Sequence, residues 1–71
     1  MTSIGSFEFR DADSGESAWA GVRMAGDSVA LALSLESDGD IEVVLSGDDC
    51  MQLVKLLSEA MARCNWPPPH R

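Results

Sequence analysis

At 71 residues the chain is long enough for one domain and near the lower limit for a core that folds unaided. Its 45% hydrophobic content excludes a disordered acidic tail, and its net charge of −7 disfavours direct contact with nucleic acid or anionic membranes. The charge is also lopsided. Residues 1–49 hold eleven of the twelve acids against Arg10 and Arg23, a balance of −9, whereas residues 50–71 set Glu59 against Lys55, Arg63 and Arg71, a balance of +2.

The amino-terminal stretch has neither a basic leader region nor an apolar one, so no signal peptide is expected. In "SFEFR" (6–10), Phe7 and Phe9 fall on one side and Glu8 and Arg10 on the other, the alternation of a strand. "DADSGE" (11–16) is a polar, turn-forming break. "SAWAGVRMA" (17–25) alternates again, with Ala18, Ala20, Val22 and Met24 opposite Trp19, Gly21 and Arg23. Parity puts Trp19 beside a cation on an outer face, in the composition of a binding hot spot. A bulge at Gly21 would turn it inward, and a small domain favours burying its largest side chain.

"GD" (26–27) reads as a tight hairpin turn, and "SVALALSLE" (28–36) is the clearest strand, with Val29, Leu31, Leu33 and Leu35 on one face. "SDGD" (37–40) reads as a second hairpin turn, before "IEVVLS" (41–46) returns with Ile41, Val43 and Leu45 inward. The period then changes. From Cys50, apolar residues at 50, 53, 54, 57, 60, 61 and 64 mark one face of a helix. Ser46 or Asp48 supplies its cap, and Glu59 with Arg63 makes a favourably oriented pair one turn apart. Asn65 and the prolines at 67–69 end it, leaving 66–71 as a proline-rich tail. The expected fold is α+β, a single domain over 1–71: a four-stranded antiparallel meander with one carboxy-terminal amphipathic helix packed on one face.

Four carboxylates surround Gly39 in "LESDGDIEV", and a calcium loop is the obvious candidate. Aligning Gly39 with the loop's central glycine leaves Leu45 where the bidentate glutamate belongs and Ser34 at the first ligand position, so a turn is the better reading. Cys50 and Cys64 lie about 21 Å apart along one helix, too far for a disulfide, and lack the close cysteine or histidine that zinc requires. Reduced thiols in a cytoplasmic protein follow. No GxSxG, P-loop or HExxH pattern occurs, and His70 stands one residue from the end, so catalysis, cofactors and metals are not expected.

A meander brings its first and third connections to the same end of the sheet. Asp11, Asp13, Glu16, Glu36, Asp38 and Asp40 would then form one acidic rim, with Asp27 an outlier at the other end. Such a rim suits a basic protein partner, including a nucleic-acid-binding protein whose site it would block, since duplex DNA presents a charge about every 1.7 Å. That physical character, without any motif, is shared with small acidic phage-type inhibitors such as some anti-CRISPR proteins. The reading is of a non-catalytic interaction protein, with Trp19 added to the rim as a contact residue. The alternative is a homodimeric structural module, associating through an edge strand or the alanine-rich outer face, whose charges serve solubility alone.

Overall fold

The structure is a computed structural model that describes residues 2–64; the tail expected at 66–71 lies outside the described residues. Four strands, β1 (Thr2–Arg10), β2 (Ser17–Ala25), β3 (Ser28–Leu35) and β4 (Gly39–Leu45), form one antiparallel sheet in the order β1-β2-β3-β4. The helix α1 (Gly47–Arg63) follows. The architecture is the expected α+β meander.

Two devices fix the register. Gly26, at φ 63°, opens the two-residue turn between paired Ala25 and Ser28, and Gly39, at φ 80°, closes the turn that pairs it with Leu35. A side chain at either would meet the steric penalty of left-handed backbone. β1 starts four residues earlier than alternation alone implies, because an irregularity between Ser3 and Gly5 sets Ile4 outside the pairing and restores register beyond it.

With that register every strand contributes to the same two faces. Phe7 and Phe9 pair with Ala20 and Ala18, which pair with Leu33 and Leu35; Val22 pairs with Leu31, and Leu31 and Leu33 pair with Val43 and Ile41. One face is thus almost wholly apolar. The other carries Glu8, Trp19, Arg23, Ser34, Asp40 and Glu42, with Ala30 and Ala32 between them. Arg23 and Glu42 form an ion pair that spans β3 over those alanines, and Ala30 beneath is 1% exposed.

Ser46 caps α1, its side chain accepting from the Asp49 amide at 3.1 Å. Asp48 and Asp49 in the first turn and Arg63 in the last complement the helix dipole, and Arg63 reaches Glu59 at 2.8 Å. α1 packs on the sheet through its first turns, where Cys50, Met51 and Val54 share a groove with Val29. No residue of the helix is buried, and only Cys50 and Leu53 are half-buried. The apolar face of the sheet is correspondingly open: Phe7 is 63% and Ile41 61% exposed, and among the described residues the buried hydrophobic side chains are Ala18 on this face and Ala30 on the other.

Candidate interaction surface

The six-residue loop between β1 and β2 is built from its own polar atoms. The Asp11 amide donates to the Glu16 carbonyl at 2.9 Å, and the Gly15 amide to the Asp11 carbonyl at 2.8 Å. Asp11 Oδ2 accepts from the Ser14 amide at 2.8 Å, and Ser14 Oγ accepts from the Glu16 amide at 3.2 Å. Gly15 takes φ 80° to let the chain turn back, while Arg10 Nη1 donates to its carbonyl at 3.0 Å. Asp side chains favour such local bonds to the backbone two or three residues on.

The loop between β3 and β4 meets it directly. Glu16 Oε1 accepts from the Ser37 amide at 2.9 Å, and the Glu36 amide donates to the Ser17 carbonyl at 3.2 Å. Two loops separated by a full hairpin are therefore joined, and Asp11, Asp13, Glu16, Glu36, Asp38 and Asp40 occupy one end of the sheet. Hydrogen bonds from Ser14, through side chain and then backbone, hold the Asp11 carboxyl below its ordinary 3.8. Those from Ser37 hold Glu16 below its ordinary 4.5, against partial desolvation and the like charge of Asp11. Both groups are fully charged at neutral pH.

Among the described residues none of these six carboxylates is in an ion pair; the pairs present are Arg23–Glu42 and Arg63–Glu59. Arg10 is the cation nearest in sequence, and its guanidinium bonds a carbonyl instead. Asp11, Asp38 and Asp40 border a groove of about 370 Å³ whose floor is apolar, formed by Phe9, Leu33 and Ile41. A long cationic side chain with an aliphatic stem matches that pattern of charged lip and greasy floor.

Asp27 does not join the rim. It lies in the β2–β3 turn, at the end of the sheet where α1 begins. Trp19 keeps the parity its strand dictates and sits on the polar face, where it contributes to the groove's lining without joining the apolar layer. Its indole lies flat over Gly21: a Cβ there would stand 2.4 Å from Trp19 Cη2. The absent side chain makes room for the ring, so Gly21 seats Trp19 without a bulge.

Cys50 and Cys64 are free thiols, half-buried and exposed respectively. Among the described residues no cluster of three or more His, Cys, Asp or Glu is placed to hold a metal ion, and no helix is long and apolar enough to cross a membrane. What sequence reasoning missed is the bare apolar layer, whose signal is the single residue, Ser46, between β4 and α1. No protein-family model matches the chain, and neither curated proteins nor solved structures yield a match.

Proposed function

We propose that the protein acts by binding and not by chemistry, presenting its carboxylate rim to a basic protein surface. A nucleic-acid-binding groove is the target class that fits best, because its lysines and arginines are spaced to meet closely set negative charges. The observation that carries this reading is the joining of two acidic loops by the Glu16–Ser37 bond, with six carboxylates at one end of the sheet that pair with no cation among the described residues. A cluster of charge of one sign steers a partner of the other sign and makes encounter fast and salt-dependent.

The test is affinity capture from native lysate with the parent chain and with a variant carrying Asp11→Asn, Asp13→Asn, Asp38→Asn and Asp40→Asn. Asparagine is nearly isosteric, and at Asp11 its carbonyl still accepts from the Ser14 amide, so the loop holds; circular dichroism checks the fold. A basic partner retained by the parent, lost by the variant and released by about 0.5 M salt is the expected result. Equal capture by both, or binding indifferent to salt, overturns the reading.

A further inference from the structure

The apolar layer of the sheet and the apolar stripe of the helix belong to one chain yet do not cover each other. Phe7, Met24, Leu33, Ile41 and Val43 stand open on the sheet, and Val54, Leu57 and Met61 on the helix. The cause is the connection. β4 ends at Leu45, Ser46 is the cap, and α1 starts at Gly47, so no loop is available to turn the helix back over its own sheet. A stable two-chain interface hides about 800 Å² per partner, and each chain would bring both its open sheet face and its helix stripe to one.

We infer that the occupant of this face is a second copy of the same chain, each helix lying across the other's apolar sheet in a two-fold pair. Three features point to a copy of itself. First, the two open surfaces match: α1 is 17 residues, about 25 Å long, and the strands of 7–9 residues span about 23–30 Å. Second, an exchange about a two-fold axis covers both surfaces at once and closes. Third, charge agrees with direction. α1 leaves its own sheet at the Val29–Leu45 end; continuing over a copy abutted there, it runs toward the far end, where that copy's Asp38 and Asp40 stand. The last-turn cation Arg63, exposed and paired one turn back with Glu59, arrives at that acidic end. The opposite face offers no equivalent, since Trp19 and the Arg23–Glu42 pair already lie over Gly21 and the alanines.

Sedimentation equilibrium of the full chain at about micromolar concentration should give twice 7.6 kDa. Leu57→Asp, which places a carboxylate in the exchanged layer, should weaken association by about 100-fold or more, whereas Val44→Asp, on the other face, should leave it within about threefold. Should Leu57→Asp fail to fold, isotope-filtered NOEs on an equal mixture of labelled and unlabelled parent chain still decide. Contacts of the Leu57 and Met61 methyls with Phe9, Leu33 and Ile41 are expected between chains. A folded monomer, NOEs confined within one chain, or a dimer broken by Val44→Asp and kept by Leu57→Asp each overturns the inference. Salt sensitivity plays no part in these outcomes, so they stand apart from any result at the acidic rim.

Discussion

Glu16 ties the acidic end together, because its carboxylate alone spans from one loop to the backbone of the other. Its bond to the Ser37 amide is charge-assisted, and the lowered proton affinity is the mark of that assistance. A carboxyl depressed in the folded state stabilises it above the ordinary value of 4.5, and this contribution is lost as pH falls through the depressed value. Glu16→Gln keeps an acceptor for Ser37 but cannot titrate. The parent's advantage in Tm over Glu16→Gln should therefore be constant above the ordinary value and vanish on acidification, as followed by thermal circular dichroism across a pH series. An advantage that grows as pH falls would rule out this role for Glu16. Other carboxylates of the rim lose their mutual repulsion in both proteins, so the difference isolates the one group.

At the scale of elements, much was legible because local patterns and the final pairing agree. β2 (Ser17–Ala25) runs over the same residues as the alternation, and α1 carries its apolar stripe, its Ser46 cap and its Glu59–Arg63 pair where the sequence pattern implies. β1 was half hidden: "TSIG" does not alternate, and the irregularity at Ile4 that lets it pair is a tertiary event. The β3–β4 turn starts one residue and ends two residues earlier than expected, since Gly39 pairs with Leu35 while keeping the positive φ that marked it as a turn residue. The clustering of Asp11, Asp13 and Glu16 with Glu36, Asp38 and Asp40 followed from strand order, whereas the Glu16–Ser37 bond depends on loop conformation that periodicity does not encode. The cap is separable from all this. Ser46→Ala removes the acceptor for the Asp49 amide and should cost about 1 kcal/mol, measured by urea unfolding at fixed protein concentration. A change below about 0.3 kcal/mol would mean that solvent replaces the cap.

For the molecule as a whole, periodicity marked which residues are apolar but not which surface covers them. A helix stripe and a sheet face in one short chain invite the assumption that they meet within it. Here they meet only at the corner where Cys50, Met51 and Val54 approach Val29. Among the described residues two buried alanines, one on each face of the sheet, make a very small core, and an Ala side chain offers little apolar area to hide. Folding and pairing of such a chain are expected to be one equilibrium, with an acidic rim at either end of the pair.

The lone Ser46 between strand and helix also settles which sheet the helix finds first. A tether of one residue gives the chain's own face access only to the first turns of the stripe, however dilute the solution. Lengthening it by about five flexible residues between Leu45 and Ser46 would give that face an effective concentration of about a millimolar. A copy in micromolar solution could no longer compete. Such an insertion should convert the exchanged pair into a monomer with the same helix on the same kind of sheet, seen as a halved mass by light scattering. Persistence of the pair would mean that contacts beyond the helix and sheet hold it. If the mass halves, the oligomeric state of this fold is a property of tether length, open to change by a single small insertion.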